Sequence, residues 1–172
     1  MANTYKVLVT GPFSAGKTEF IRTISDIPIV STERPISDDL RSVKDETTVA
    51  MDYGQVKLGD DMVHLYGTPG QPRFEFMWDI LAKEMDAFVL LVDSCDRGSF
   101  GDARKLVRVF RRKARVPFLV AANKQDGAKA LPVEAVGEAL KVDAGVPVVP
   151  CVATEKDKVR AVLERLQGLL AG

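Results

Sequence analysis

Residues 11–18, Gly-Pro-Phe-Ser-Ala-Gly-Lys-Thr, constrain this chain more than any other stretch. They satisfy the pattern G-x-x-x-x-G-K-S/T, and their flanks make the match informative. Residues 5–10 ahead of them form a short β-branched, apolar run of the kind a buried parallel strand needs. Behind them Phe20, Ile21 and Ile24 recur at helical spacing. A glycine-bearing loop between a strand and a helix start turns backbone N–H groups toward phosphate oxygens. The glycines allow close approach, Lys17 reaches toward β- and γ-phosphates, and the Thr18 hydroxyl is placed to ligate Mg²⁺. A chance match in a polar turn would not bring the strand and the helix with it.

The rest of the chain supplies the frame such a loop requires. Residues 27–47 are polar, charged and carry Pro28 and Pro35, and are too long for an ordinary connection. Residues 49–58 and 62–66 read as strands joined by a turn at Gly59-Asp60-Asp61. Residues 67–72 break the chain, and helical spacing resumes over 73–83. Residues 87–92 (AFVLLV) form a continuous apolar run ending in Asp93-Ser94. A helix is expected over 100–115, with Ala103, Leu106, Val107, Phe110 and Ala114 on its apolar face. Another buried strand, 117–122, runs into Asn123-Lys124-Gln125-Asp126. A short helix over 132–140, a strand over 146–153 and a final helix carrying Val159, Val162, Leu163, Leu166 and Leu170 complete the chain. Strands alternating with helices predict one α/β domain over 1–172, with a mostly parallel sheet and helices on both faces.

Composition sets bounds around that frame. With 24 Lys+Arg against 24 Asp+Glu, bulk charge gives no reason to expect nucleic acid or a membrane surface as partner. The two cysteines, Cys95 and Cys151, lie far apart and read as small buried hydrophobes, not as a disulfide or metal pair. No secretory leader, transmembrane run or lipidation motif is visible, so a cytoplasmic location is expected, with membrane association at most indirect.

In a sheet of this kind ligands gather at the carboxyl ends of the strands, where these motifs converge. A carboxylate accepts from both N1–H and the 2-amino group of guanine, and adenine offers neither donor there. Asp126 behind a phosphate loop therefore favours GTP over ATP, with Asn123 bracing its loop.

On these motifs the chain resembles a small GTPase of the Ras superfamily over nearly its whole length. The resemblance implies a Ras-like G domain of the P-loop NTPase class, with a six-stranded, mostly parallel sheet containing one antiparallel strand. It assigns nucleotide binding to Gly11, Phe13, Ser14, Ala15, Gly16, Lys17, Thr18, Thr48, Gly70, Asn123, Lys124, Asp126, Val152, Ala153 and Thr154. Thr18 and Thr48 are the metal ligands, with Thr48 favoured over Thr47 by register, and GTP/GDP and Mg²⁺ are the implied ligands. Gln71 orients the attacking water and Lys17 stabilises the transferring phosphoryl group. Gly67-Thr68-Pro69-Gly70-Gln71 resembles switch II of a bacterial branch often associated with roadblock-domain regulators and with polarity or gliding control.

Three departures bear on activity. Gly67 stands where the family has the acid that supports the Mg²⁺ shell, and Phe13 stands where many members have glycine. Only the alanine of the base-contacting S-A-K, Ala153, is retained. Slow GTP hydrolysis is the expected activity, and a pseudo-GTPase scaffold is the alternative. A metabolite kinase is disfavoured by residues 123–126 and by the lack of an arginine-rich lid. Arg41 and Arg34, on the long switch I segment (residues 27–47), read either as solvated loop charges or as candidate catalytic cations supplied in cis, Arg41 first. Thr154 also reads as a helix N-cap with Asp157 three residues on. His64 reads as a surface or satisfied core residue, and Arg104, Arg108, Arg111, Arg112 and Arg115 as a solvated stripe. Phe74, Phe76, Met77, Trp78, Ile80 and Leu81 nearly encircle the 73–83 helix, so either regulators or effectors dock there and on switch I, or the helix is buried under the long switch I segment.

Overall fold

Side-chain alternation along the central strands decides where the helices go. The computed structural model describes residues 2–12, 14–35, 48–67, 84–114 and 116–171, without the side chains of 31–35, 48–50 and 110–114. In chain order the elements are β1 (Thr4–Thr10), α1 (Lys17–Ile24), β2 (Val30–Pro35), β3 (Thr48–Leu58), β4 (Asp61–Gly67) and β5 (Ala87–Asp93). There follow α2 (Phe100–Ala114), β6 (Phe118–Asn123), α3 (Val133–Leu140), β7 (Val148–Pro150) and α4 (Lys156–Ala171). Val7 and Val9, Val89 and Leu91, and Leu119 and Ala121 point to one face of the sheet, where α1 and α4 cover them. Leu8, then Phe88, Leu90 and Val92, then Val120 and Ala122 point to the other, beneath α2 and α3. Strands buried on both faces must be apolar at every position, which is why 87–92 reads as an unbroken run.

The strand order is β2-β3-β4-β1-β5-β6-β7. β3 is antiparallel to both β2 and β4, so among the described strands it alone runs against the rest. The six expected strands are all present, and β2 adds a seventh at the edge, inside the stretch expected to be a long connection. Its sequence, VSTERP, hides it: the run is polar, and its proline stands at the end of an edge strand, where a missing N–H is tolerated. The β3–β4 hairpin turns at Gly59, whose φ of 61° is left-handed, as the turn signal predicts.

The sheet reverses direction of growth at β1, which lies between β4 and β5. Such a switch point opens a crevice at the strands' carboxyl ends, and β1 delivers residues 11–18 into it. Among the described residues no helix is long and apolar enough to cross a membrane.

Two expectations need correction here. Cys151 is buried, but Cys95 is exposed, because it lies past the end of β5 on the 94–99 turn. α4 opens at Lys156, so Thr154 stands two residues ahead of the helix and is not its cap. The 73–83 helix and its apolar residues, and the side chains of Arg111, Arg112 and Arg115, lie outside the described residues.

Candidate functional site

Two glycines shape the phosphate loop, each for a reason its neighbours make plain. Gly11 has φ 152°, and a Cβ there would lie 2.1 Å from the Leu91 carbonyl oxygen on the adjacent strand. Gly16 has φ 102°, and a Cβ there would lie 2.5 Å from Asn123 Nδ2. Any side chain at either position would strain the backbone and strike β5 or Asn123. Gly16 is also the residue before α1, which begins without a side-chain cap. The N–H groups of its first turn are thus left for an anion.

Lys17 begins that helix and folds back over the loop, donating to Gly11 O at 2.6 Å and Pro12 O at 3.0 Å. Burial pulls its pKa from 10.5 down to about 8, against the opposing pull of the Asp52 carboxylate. Two neutral carbonyls solvate this ammonium only partly, and phosphate oxygens would complete it. Next along the helix, Thr18 Oγ1 donates to Asp52 Oδ2 at 2.5 Å. Asp52 lies on β3, and sequence reasoning did not single it out.

The base side is assembled around Asn123, which is 2% exposed. Its Nδ2 donates to Ala15 O at 2.9 Å, and its Oδ1 accepts from Ala153 N at 2.8 Å. One side chain thereby ties the phosphate loop to the 151–154 loop, 108 and 30 residues away in sequence. The Ala153 amide, which the resemblance assigns to guanine, is here bonded to Asn123. Lys124 takes φ 62° and pairs with Asp93 Oδ2 at 2.9 Å. Gln125 Nε2 donates to Ser94 Oγ and to Leu131 O, each at 2.8 Å. With its neighbours so fixed, Asp126 stands exposed at the loop's rim, and no described residue bonds its carboxylate.

Gly11, Ser14, Ala15, Gly16, Lys17, Thr18, Asn123, Lys124, Asp126, Val152, Ala153 and Thr154 are therefore gathered at one end of the sheet. Thr48 is not brought to Thr18: it is the first residue of β3 and pairs with Pro35. It lies four residues from Asp52, or about 13 Å along a strand. Arg34 is in β2, opposite Val49, and not in a loop as expected. Phe13, Arg41, Gly70 and Gln71 lie outside the described residues. His64 is satisfied, as anticipated, through Nδ1 and the Tyr53 hydroxyl at 2.5 Å. Arg104 of the basic stripe donates to Ala139 O at 2.8 Å, so it is partly structural.

The site suits a metal-bound nucleotide. Its hard oxygen donors, Thr18 and Asp52, are those Mg²⁺ prefers. Among the described residues no group of three or more His, Cys, Asp or Glu could hold a metal alone.

The chain is similar to known proteins in fold and in sequence. In structure the chain is similar to the Arl6 BBS3 small GTPase of Trypanosoma brucei, solved with the nucleotide analogue GppNp. The TM-score is 0.75, at 20% identity over 98% of each chain. In sequence it is 32% identical over 121 residues to protein MJ1339 of Methanocaldococcus jannaschii, covering 70% of each. It is 27% identical over 128 residues to human ADP-ribosylation factor-related protein 1, covering 71% of this chain and 60% of that protein's length. The family profile Arf, ADP-ribosylation factor family, matches residues 1–170, and the chain belongs to that family of small GTPases.

Proposed function

We propose that this chain is a single-domain, cytoplasmic GTP-binding switch that hydrolyses GTP to GDP slowly and depends on partner proteins for speed. The observation that carries the reading is the Asn123 bridge, which fixes an exposed Asp126 at a set distance from Lys17 and the α1 N-terminus. A base reader and a phosphate cradle locked together select one nucleoside phosphate. Lys17 and the loop amides stabilise charge on the transferring phosphoryl group, and Gln71 orients the attacking water. Mg²⁺, when bound, neutralises charge shared between β- and γ-phosphates. Thr18 would hold it from the helix. Thr48 would join only after the Thr48–Pro35 end of the β2–β3 ladder opens, which makes that ladder the switching element.

Further parts of the reading follow from sequence. Arg41 acts in cis on the phosphoryl group when a partner orders switch I, the alternative being a solvated loop charge; Arg34, held in β2, is the less suited of the two. Gly-Thr-Pro-Gly-Gln at 67–71 resembles switch II of a bacterial branch often associated with roadblock-domain regulators, and it supports regulators of that type docking on switch I and the expected 73–83 helix.

Phosphate release from GTP and ATP, with and without candidate activators, tests the core of this. Release from GTP alone is the expected result. Tight binding with no release under any condition favours a nucleotide-holding scaffold, which Phe13 would suit. Asp126→Asn should shift preference from guanine toward xanthine, since an amide presents a donor where the 2-amino group needs an acceptor. Unchanged GTP affinity in that variant would remove Asp126 from the base site. If Arg41→Ala and Arg34→Ala keep full stimulation while Gln71→Leu loses it, no cis-arginine acts.

A further inference from the structure

The carboxylate expected at the end of β4 is absent, since that residue is Gly67, yet a carboxylate reaches the same place from the neighbouring strand. In the β3–β4 ladder Asp52 is the residue directly opposite Gly67. A Cβ built on Gly67 would lie 3.4 Å from the Asp52 Cβ and 2.9 Å from Ile21 Cδ1 on α1. The two positions thus share one small space beside Thr18, and Asp52 already uses it: its Oδ2 accepts the Thr18 hydroxyl proton at 2.5 Å.

Resting on the nucleotide reading above, we propose that Asp52 is the metal-supporting acid of this protein, moved across the hairpin from position 67 to its cross-strand partner. A hydroxyl has one proton and two lone pairs. With its proton given to a carboxylate, Thr18 Oγ1 turns its lone pairs outward toward a cation. The charged acceptor also makes that oxygen a better ligand, as outer partners of metal ligands do. The Asp52 carboxylate also adds negative charge beside Thr18 Oγ1. The crowding at Gly67 accounts for its lack of a side chain. A second acid there would meet Ile21 and place like charges on directly opposed residues, which destabilises a sheet.

The test separates a charge role from a merely structural cross-link. Asp52→Asn keeps the shape and an acceptor for Thr18 Oγ1 but removes the charge. Mn²⁺ binding to the GDP complex, followed by electron paramagnetic resonance, should weaken about 10- to 100-fold in Asp52→Asn. GDP affinity in EDTA should change far less than Mn²⁺ affinity, so that the loss is read at the cation. Wild-type Mn²⁺ affinity in Asp52→Asn overturns the assignment and leaves only a structural bond. A second variant, Asp52→Ala/Gly67→Asp/Ile21→Val, returns the acid to β4 and clears its path. It should hold Mn²⁺ within tenfold of wild type where Asp52→Ala alone does not, and equal loss in both overturns the shared role. If wild type binds GDP neither with Mn²⁺ nor in EDTA, the nucleotide reading itself falls. If it binds both and Asp52→Asn matches it, only the Asp52 assignment falls.

Discussion

On the base side of the pocket, Asn123 makes two buried hydrogen bonds, Gln125 makes two more, and all hang from β5 and β6 in the middle of a parallel array. On the metal side, Thr18 donates to Asp52, and Asp52 belongs to an antiparallel strand whose outer neighbour among the described strands is β2. The first arrangement is over-determined, and the second can be rearranged by opening one short ladder. A protein that must hold its nucleotide while reporting on its phosphates needs this asymmetry. Rigidity belongs where the base is read, and an element with two discrete arrangements belongs where the γ-phosphate is sensed.

The most direct way to break the comparison is to remove what makes the base side rigid. Asn123→Ala leaves the Ala15 carbonyl and the Ala153 N–H, both buried, without their partner. Each such orphan costs about 1–3 kcal/mol, so the domain should lose about 2–6 kcal/mol. GDP affinity should fall about a hundredfold or more, because the phosphate cradle and the base reader are no longer tied together. Urea unfolding and fluorescent-GDP titration measure both, and a variant as stable as wild type would show that the bridge is decorative.

Lys17 sharpens the comparison from the phosphate side through pH. Its pKa is depressed in the folded chain, from 10.5 to about 8, chiefly by burial. Between those values the unfolded chain holds more protons than the folded one, so stability of the nucleotide-free protein rises with pH across that window. Below pH 8 the buried ammonium destabilises the fold by about 3 kcal/mol, and by pH 10.5 that burden has gone. Phosphates beside Lys17 restore the charged form, so binding takes up a proton above pH 8. GDP affinity should therefore fall by up to about tenfold per pH unit from 8 toward 10. Lys17→Met should bind weakly at every pH and lose this slope. Wild-type affinity that stays flat from about pH 7.5 to 9.5 would mean that Lys17 does not meet the phosphates.

How far the sequence could be read follows from the same division. Buried parallel strands announce themselves, because residues 87–92 and 118–122 must be apolar on both faces. The loop 11–18 is legible because its glycines are demanded by the local backbone and by β5. Asp52 is not legible by motif, since its role comes from pairing with a residue 15 positions away. A signal did exist: a turn at Gly59-Asp60 sets Leu58 opposite Asp61, and counting outward from that pair puts Asp52 opposite Gly67. An acid facing a glycine, where an acid is expected, is the trace of the exchange. β2 escaped for a different reason, since an edge strand has no need of apolar side chains on both faces and reads as loop. Cys95 and Thr154 were misplaced because each lies within two residues of an element end, where periodicity no longer constrains burial or capping.

The smallest expected effect is also the most local. β6 is flanked by β5 and β7, whereas among the described residues β2 has only β3 as a ladder partner. Amides of β2 should therefore exchange with deuterium about a hundredfold faster than those of β6 in the nucleotide-free protein. Adding a non-hydrolysable GTP analogue with Mg²⁺ tests whether Thr48 travels. Held at the first position of β3, Thr48 sits about 13 Å along the strand from Asp52, too far to share a cation with Thr18. To reach it, the pairs Pro35–Thr48 and Arg34–Val49 must separate while Asp52–Gly67, on the other side of the strand, stays closed. The prediction is a change of a few fold in exchange at 48–50 and in β2, with none in 54–58 or in β6. Equal changes throughout β3 would mean that the whole hairpin moves as a block. No change anywhere, with binding confirmed by calorimetry, would make both halves of the pocket equally rigid and leave a scaffold instead of a switch.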